Sequence, residues 1–521
     1  MTAAKPHYAA VDLGAETGRV VVGAVDDDGI ELREVHRFPN RPVRLPDGLH
    51  WNVLGIFSDV IAGLERASAE IGGPLASVGV DSWGVDYGLF DVDGRLLGNP
   101  YHYRDARTDG ERERYAQFVS PQRQYEVTGT AQMPINTLYQ LAAHARAERT
   151  LERAHTLLMI PDIMHYWLCG VQAAEFTNAS TTGMLGSDGR WAAELLAAAG
   201  VPQHILRAPL EAATPLGRTR PALGLGARAH GLRVVVPATH DTACAVLAAP
   251  LHLTPAGEIC AFISSGTWSL LGVELEQPIR SEAARDAGFT NERGVGGSVR
   301  FLRNIMGLWL VQECRRAWHR DGADYSYDEL TARAATIPTP GLAIDVDDPA
   351  LLHPADMTAA IRAQLGPAGG DAAGDPVALT RAIFEGLALQ YRRSIADAER
   401  LADVRVGAIA IVGGGARNAL LCQLAADACG RIVYAGPPEA SATGNILVQA
   451  AADRAVHGLA ELRAFARATA RPRAFEPNAS VGIDWAARMA AVDAHRRAET
   501  APPATAPAGP QPNRQRMRRH V

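Results

Sequence analysis

The stretch "HYAAVDLGAETGRVVVGAV", residues 7–25, reads as two hydrophobic strands joined by a turn of small and polar residues. A similar unit, "ICAFISSGTWSLLGVELE", occupies residues 259–276, about half the chain later. Each unit places glycine and hydroxyl residues in the turn between its strands. The repeat predicts two domains of similar design, each opening with a hairpin that faces phosphate. Chance similarity between two β-hairpins is the alternative.

Strand and helix patterns alternate along the rest of the chain. The patterns are helix at 55–71, strand–turn–strand at 75–94, helix at 136–154, helix at 301–320, a flexible loop at 366–376, helix at 376–401, and strand–glycine turn–helix at 408–430. Such alternation predicts mixed α/β domains.

Composition divides the chain into two folded halves and two ends. We expect an N-terminal tail at 1–7, a first domain at 8–247, a second domain at 248–490 and a C-terminal tail at 491–521. The end of the chain is rich in proline and alanine and then basic, with little apolar surface to bury, so we expect it to be disordered.

The overall composition excludes several classes of function. The chain has 521 residues, 47% of them hydrophobic, and a net charge of −6, so no basic surface for nucleic acid or anionic membranes is expected. No apolar run is long enough to span a bilayer, and the first residues lack the pattern of a signal peptide. Six scattered cysteines without metal-like spacing suit reduced thiols in the cytoplasm.

Lysine is almost absent, which limits how the chain could handle ATP. Lys5 is the only lysine. The body of the chain therefore has no P-loop lysine, no protein-kinase strand lysine and no lysine for a Schiff base. Any ATP chemistry must proceed without lysine.

The turn in "VVVPATHDTACAVLAAP", residues 234–250, places His240, Asp241 and Thr242 where a strand runs into a helix. One interpretation is helix capping, because Asp and Thr at a helix start accept backbone N–H hydrogen bonds. The other is a reactive carboxylate at the carboxyl end of a strand, where open α/β sheets hold their ligands. The turn by itself leaves both open.

Three further motifs suit a nucleotide or a sugar. In "VDLGAETGR", Asp12 ends a strand and could hold Mg²⁺, while the glycines that follow let backbone N–H groups approach an anion. In "VGVDSWGVDYGLFD", Trp83 beside Gly84 could form a sugar-binding wall or belong to the core. In "IVGGGARN", a glycine triplet lies between a strand and a helix, where a nucleotide could cross the backbone.

Taken together, these motifs identify a family. The chain resembles the FGGY carbohydrate kinases, and within them the group that phosphorylates L-rhamnulose. The resemblance runs from about residue 8 to residue 455. It rests on the motifs "SWGVDYGL", "YRDART", "NTLYQL", "PATHDTACAV", "ISSGTWSL", "FLRNIMGLWLVQE", "IVGGGARNALLCQLAADA" and "AGPPEASATGNILVQA".

The resemblance implies an α/β fold of two ribonuclease-H-like domains of the actin/hexokinase/Hsp70 type around a catalytic cleft. It implies ATP and Mg²⁺ as cofactors, a small sugar as substrate, and a monomer or homodimer in the cytoplasm. It implies transfer of phosphate to the 1-hydroxyl of L-rhamnulose, in L-rhamnose catabolism. The sugar and the first phosphate loop would belong to the first domain, and the nucleotide to the second.

The resemblance also assigns roles to residues. Asp241 would be the general base, with Gly84, His240, Thr242 and Trp83 around the sugar. The implied nucleotide contacts are Ala15, Glu16, Thr17, Gly18, Arg19, Thr267, Asn304, Gln312 and Gly414, and Asp12 would be the metal-associated carboxylate. Glu16 departs from the family pattern, in which a hydroxyl residue is common, because a carboxylate beside phosphates is repulsive unless it turns outward or meets the metal.

Three alternatives remain open from the sequence. The first is an FGGY kinase for another ketose such as L-fuculose. The second is an actin- or Hsp70-like ATPase without sugar kinase activity. The third is a sugar sensor that has lost catalysis. Asp241 and a sugar-binding wall that contains Trp83 favour the kinase over the second and the third.

Overall fold

The computed structural model describes residues 5–26, 29–71, 75–147, 149–226, 229–352, 354–454, 459–469, 471–478 and 482–500. The strands are β1 His7–Leu13, β2 Thr17–Asp26, β3 Gly29–Pro39, β4 Pro42–Leu45, β5 Gly48–Trp51, β6 Leu75–Ser82, β7 Tyr87–Phe90, β8 Thr156–Met159, β9 Ala174–Glu175, β10 Pro209–Leu210, β11 Pro215–Arg218, β12 Arg233–Val235, β13 Ile259–Ser265, β14 Trp268–Leu275, β15 Phe289–Arg293, β16 Val299–Met306, β17 Val406–Val412, β18 Ile432–Ala435 and β19 Arg473–Phe475. The helices are α1 Val53–Glu70, α2 Glu111–Tyr115, α3 Pro121–Thr128, α4 Thr137–Ala147, α5 Thr150–Arg153, α6 Ile160–Cys169, α7 Phe176–Ala179, α8 Ala193–Ala198, α9 Asp241–Ala248, α10 Glu282–Asp286, α11 Trp309–Arg320, α12 Tyr327–Thr336, α13 Met357–Leu365, α14 Pro376–Ala402, α15 Ala419–Cys429, α16 Ala440–Arg454, α17 Leu459–Thr469 and α18 Trp485–Thr500.

Two large sheets repeat one topology. In the first, the order is β11-β12-β6-β1-β2-β3, and in the second it is β15-β16-β14-β13-β17-β18-β19. The opening strand of each sheet, β1 or β13, pairs antiparallel with the next strand and parallel with a later one, β6 or β17. The sequence repeat at 7–25 and 259–276 therefore marks two equivalent hairpins at the centre of equivalent sheets.

The central strands are buried because helices cover both faces of each sheet. β1 is buried at every position after His7, and β17 at all but one of its positions. Such strands read as continuous apolar runs, since neither side chain face meets water. In the second sheet, the long helix α14 supplies much of one core layer through Ile383, Phe384 and Leu387.

Helix α16 connects the two halves. In the chain it lies between β18 and β19 of the second sheet, yet it packs against the first sheet, where Ile446 joins a cluster with Tyr8 and Val21. Asn445 donates to the carboxylate of Asp81 at 2.6 Å, and Gln449 donates to the carbonyl of Ala9 at 2.9 Å. The two halves are thus joined through buried polar contacts close to the ends of β1 and β6.

The structure corrects parts of the predicted secondary structure. Residues 301–306, predicted as the start of a helix, belong to strand β16, and the helix begins at Trp309. The segment 366–374, predicted as a flexible loop, forms two short 3₁₀ turns. Helix α18 extends to Thr500, so the predicted disordered tail does not begin at 491. Residues 1–4 and 501–521 of the two predicted tails lie outside the described residues.

Two expectations from composition can be compared with the structure. All six cysteines lie within the described residues and are free thiols, as their spacing predicts. Within the described ranges, no helix combines the length and the apolar character needed to cross a membrane.

Candidate active site

A cleft between the two sheets forms a cavity of about 480 Å³. The turns of both repeated hairpins face it, together with the turn before α9 and the glycine turn after β17. Its lining residues are Gly14, Ala15, Glu16, Thr17, Trp83, Gly84, Val85, Tyr103, Thr130, Ala131, Met133, Ile135, Asn136, Thr181, His240, Asp241, Thr242, Ser264, Gly266, Thr267, Trp268, Leu270, Thr290, Glu292, Asn304, Leu308, Gln312 and Gly414. Twelve of the residues implied by the family resemblance are in this lining, and Asp12, Gly18 and Arg19 are not.

Asp241 is the first residue of helix α9. The N-cap position belongs to His240, whose side chain makes no capping hydrogen bond. The Asp241 carboxylate itself interacts with the backbone N–H of Thr242, so Asp241 contributes at the start of the helix and also lines the cleft. The carboxylate accepts a hydrogen bond from the Thr242 hydroxyl at 3.0 Å, and its Oδ1 lies 3.5 Å from His240 Nε2. Asp241 therefore faces the cleft with a hydroxyl and an imidazole beside it.

The environment of Asp241 makes it a better proton acceptor than an ordinary aspartate. Burial raises its pKa most, and the charge of Asp12 raises it further, while a positive charge on His240 and the hydrogen bonds from Thr242 would oppose the shift. A carboxylate of raised pKa holds a proton more tightly once it has taken it from a hydroxyl.

The buried side chain of Glu175 fixes the turn that precedes helix α9. Glu175 Oε2 accepts from the Thr239 N–H at 3.0 Å and from the Thr239 hydroxyl at 2.7 Å. The same oxygen accepts from the Thr177 hydroxyl, which in turn accepts from the His240 N–H at 3.0 Å. These contacts fix the backbone immediately before Asp241.

The first hairpin turn presents backbone to the cleft. The Gly14 N–H donates to the Thr17 carbonyl at 2.9 Å, which closes the turn between β1 and β2. Gly18 lies within β2, and a side chain there would collide with the Phe38 ring. Arg19 is engaged with Asp12, with its Nη2 2.7 Å from Asp12 Oδ2, and also with Glu439.

Glu16 turns away from the turn's backbone and across the cleft. Its Oε1 lies 2.9 Å from Nη2 of Arg316 on helix α11, and both side chains are partly exposed. The arginine neutralises the carboxylate that departs from the family pattern.

The second hairpin turn and its neighbours form the opposite wall. The Gly266 N–H donates to the Trp268 carbonyl at 2.8 Å, and Thr267 is exposed to the cleft in this turn. Asn304 on β16, Gln312 on α11 and Gly414 after β17 complete the wall. The Oε1 atom of Gln312 is buried without a hydrogen-bond partner, so it is available to a ligand.

The wall beside Gly84 contains strained backbone. A Cβ at Gly84 would lie 2.8 Å from the Thr181 hydroxyl oxygen, so a side chain does not fit there. Val85, which follows, has a φ of 68°, a conformation that β-branched residues rarely adopt. It is held by hydrogen bonds from its N–H to Thr181 and from the Thr137 hydroxyl to its carbonyl. Strain of this kind clusters at ligand sites.

Trp83 contributes an aromatic surface to this wall. It packs against Trp51 with ring centroids 4.3 Å apart, and its Nε1 donates to the buried carboxylate of Asp86 at 2.9 Å. Trp51 and Gln140 donate to the same carboxylate. Burial raises the pKa of Asp86 to about 6, although these hydrogen bonds favour the ionised form.

Two aspartates lie side by side behind the cleft. Asp12 and Asp81 occupy paired positions on the parallel strands β1 and β6. Burial and the nearby Asp12 charge raise the pKa of Asp81 well above its ordinary value, and Asp81 Oδ1 has no hydrogen-bond partner. Within the described ranges, no group of three or more His, Cys, Asp or Glu side chains is arranged to hold a metal ion.

Several residues that line the cleft were not identified as site residues from the sequence. Thr290 and Glu292 on β15 face the cleft, as do Thr130 and Trp268. The hydroxyl oxygens of Thr130 and Thr290 are buried without partners, which suits a hydroxylated ligand. No motif in the sequence marked Glu292, because its burial depends on how β15 pairs with β16 in the sheet.

Comparison with known proteins identifies the family. The model of the N-terminal domain of the FGGY family of carbohydrate kinases matches residues 7–248, and that of the C-terminal domain matches residues 261–452. The chain belongs to the FGGY family of carbohydrate kinases. It is therefore a sugar kinase, a family that uses ATP, generally with a divalent metal.

Comparisons with individual proteins also find similarity to carbohydrate kinases. The chain is 39% identical to a rhamnulokinase of Pectobacterium carotovorum over 95% of this chain and 98% of the relative. It is 37% identical to a rhamnulokinase of Bacteroides thetaiotaomicron over 86% and 90% of the two chains. The crystal structure of a gluconate kinase from Lactobacillus acidophilus superimposes with a TM-score of 0.76 at 15% identity, covering 95% of this chain and 98% of the other. The predicted architecture of two ribonuclease-H-like domains is confirmed.

Proposed function

We propose that this FGGY kinase transfers the γ-phosphate of ATP to the 1-hydroxyl of L-rhamnulose in a Mg²⁺-dependent reaction, as a step of L-rhamnose catabolism. One geometric observation supports phosphoryl transfer to a hydroxyl as the reaction type. Asp241, with its pKa raised by burial, faces a cleft into which both glycine-containing hairpin turns point. The choice of sugar rests on the full-length similarity to rhamnulokinases.

Asp241 acts as the general base in this proposal. Phosphoryl transfer depends mainly on positioning and charge stabilisation, so the base needs to accept the hydroxyl proton only as the oxygen bonds to phosphorus. His240 and Thr242 lie beside the carboxylate, and the Gly84 wall with Trp83 lies across the cavity. These residues would orient the sugar hydroxyl toward Asp241.

The nucleotide would lie between the two hairpin turns. Turns that expose backbone N–H groups bind phosphate oxygens, and Ala15 to Thr17 face Thr267 across the cleft. Asn304, Gln312 and Gly414 would contact the rest of the nucleotide. Gly18 and Arg19 would support the first turn from behind, because Arg19 is engaged with Asp12 and Glu439.

The charge of the cleft supports a requirement for Mg²⁺. Among the described lining residues there are three carboxylates, Glu16, Asp241 and Glu292, and no lysine or arginine. Asp81 Oδ1 is buried without a hydrogen-bond partner, so it could coordinate a cation. Asp12 and Asp81 would hold the ion, directly or through water. When bound, Mg²⁺ supplies positive charge to the phosphate oxygens.

We also propose a cytoplasmic enzyme that is a monomer or a homodimer, with its first domain at residues 8–247 and its second at 248–490. Six free thiols suit a reducing compartment.

A ketose panel with purified protein tests the proposal. ADP release is measured with L-rhamnulose, L-fuculose and D-xylulose, and without sugar, each with Mg²⁺ and with a chelator. We expect the highest kcat/KM with L-rhamnulose and little ADP release without sugar or metal. Far better phosphorylation of L-fuculose or D-xylulose would refute the choice of sugar. Rapid sugar-independent ADP release would favour an actin-like ATPase.

A further inference from the structure

A buried ion pair from the second half of the chain reaches the catalytic turn of the first half. Glu292 on β15 and Arg300 on β16 occupy directly opposed positions of an antiparallel pair, with Arg300 Nη2 3.1 Å from Glu292 Oε2. Arg300 is completely buried and Glu292 is 5% exposed. Both lie against the imidazole of His240.

The contacts of His240 determine where its proton lies. Arg300 Nη2 is 3.0 Å from His240 Nδ1, and Glu292 Oε2 is 3.3 Å from the same nitrogen. A guanidinium only donates hydrogen bonds and does not lose its proton in proteins. A proton on Nδ1 would therefore place one donor against another at 3.0 Å. With Nδ1 as the acceptor from Arg300, the single proton of a neutral ring would lie on Nε2.

We propose that Arg300 and Glu292 are positioning residues that keep His240 neutral, with its proton on Nε2 directed toward Asp241. This inference rests on the proposed role of Asp241 as the base. Nε2 is 3.5 Å from Asp241 Oδ1, so its N–H is directed toward the carboxylate and the sugar hydroxyl that it would activate.

The charge state of His240 matters because it faces the base. A cationic imidazole at this distance stabilises the carboxylate anion and lowers the pKa of Asp241, which weakens it as a proton acceptor. Arg300 disfavours that cation, since two positive charges would meet at Nδ1. Burial would raise the pKa of Glu292, and the positive charge of Arg300 is the largest effect that opposes this rise, so Glu292 is an ionised partner that balances Arg300.

Other charged groups near the turn favour the positively charged form of His240, which Arg300 disfavours. Asp12 and Asp81 interact electrostatically with Asp241, and Glu175 holds the preceding Thr239. The carboxylates in direct reach of the imidazole are Asp241, 3.5 Å from Nε2, and Glu292, 3.3 Å from Nδ1, and both favour a positive charge on the ring. Arg300 is therefore the cation that offsets them at the imidazole.

The tautomer can be measured without a mutation in the network. Full-length protein is labelled with ¹⁵N-histidine, and long-range proton–nitrogen spectra are recorded from about pH 6 to about pH 9. A His240→Gln variant identifies the signals of this ring. We expect an unprotonated Nδ1 and a protonated Nε2 throughout that range. Protonation of Nδ1, or of both nitrogens near neutral pH, overturns the proposal whether or not the protein phosphorylates L-rhamnulose.

Kinetics provide a second, independent readout. In Arg300→Met, Nδ1 would face Glu292 without a competing donor, so His240 would become protonated near neutral pH. We expect kcat to fall roughly tenfold at about pH 6.5 and to recover at about pH 9, as the imidazole loses its proton. The double variant Arg300→Met/Glu292→Gln removes the carboxylate that stabilises the cation, and should recover most of the loss at about pH 6.5.

A matched control separates this effect from general destabilisation. Arg381 and Glu385 form a similarly buried ion pair within helix α14, with Arg381 Nε 2.8 Å from Glu385 Oε1. Arg381→Met should lower stability and leave the shape of the pH profile unchanged. If Arg300→Met reduces kcat by the same factor at every pH, its role is structural and the proposal is wrong.

Discussion

Replacing Asp241 by Asn removes the proposed base with almost no change of shape. We expect kcat with L-rhamnulose to fall roughly 10²–10⁴-fold, the range attributed to a positioned general base. That loss corresponds to roughly 3–5 kcal/mol of transition-state stabilisation. The affinity for ATP should be retained, because the hairpin turns that face the nucleotide are untouched. Steady-state kinetics and nucleotide titration measure the two quantities separately.

The same substitution should not destabilise the protein. The pKa of Asp241 is raised in the folded state by burial, so its ionised form opposes folding at pH values above that pKa. The Asn variant should therefore be at least as stable as the wild type near pH 8, roughly one unit above neutral. Its advantage should shrink as the pH falls through the folded-state pKa, because Asp241 then takes up a proton and loses its charge.

A second helix-start aspartate provides the matched control. Asp375 is the N-cap of α14, and its carboxylate accepts from the N–H groups of Val377 and Ala378. Asp375→Asn should leave both kcat and stability nearly unchanged, since Asn caps about as well as Asp. A folded Asp241→Asn protein with near wild-type kcat would refute the assignment of the base and the reasoning from its environment.

Two further predictions concern other charged residues. Glu16→Gln should change KM for ATP less than about threefold and the unfolding free energy by less than about 1 kcal/mol, because Glu16 forms a partly exposed pair with Arg316; a tenfold fall in KM would show that the carboxylate faces the phosphates. His165 is buried, accepts from the Val80 N–H at 3.0 Å, and has its pKa lowered to about 3 by burial. Since the unfolded chain then binds more protons, stability should fall as the pH drops from about 6.5 toward 3, by at most about 1.4 kcal/mol per unit from this residue. Urea denaturation should show a shallower decline for His165→Gln, and an unchanged slope would contradict a neutral buried imidazole.

Local signals explain why much of the fold was predictable. The hairpins at 7–25 and 259–276 carry both strands and the turn in one short stretch, so hydrophobic pattern and turn residues agree. The segment 301–306 was mistaken for a helix because β16 lies between β14 and β15 and is mostly buried. A strand covered on both faces loses its two-residue alternation, and the sequence FLRNIM, which leads directly into a real helix, is then interpreted as part of that helix.

The site was predictable only where a motif carries several of its residues. The turns at Asp241, Thr267 and Gly414 follow strands directly, so their position at one edge of a sheet can be inferred from the chain. Glu292 and Arg300 had no such signal. They act through pairing between β15 and β16 and through contact with His240, some 50–60 residues earlier in the chain. Contacts across that distance depend on how the two halves pack.

The distribution of arginines explains how a cleft without cationic side chains can hold a single reactive carboxylate. Of the three carboxylates among its described lining residues, Glu16 is paired with Arg316 and Glu292 with Arg300, and neither arginine lines the cavity. Asp241 has a hydroxyl and an imidazole as its neighbours instead. An arginine at that position would hold the carboxylate as an anion and lower its pKa. Placing arginines beside the other two acids, and none beside Asp241, therefore leaves Asp241 as the carboxylate best suited to accept a proton.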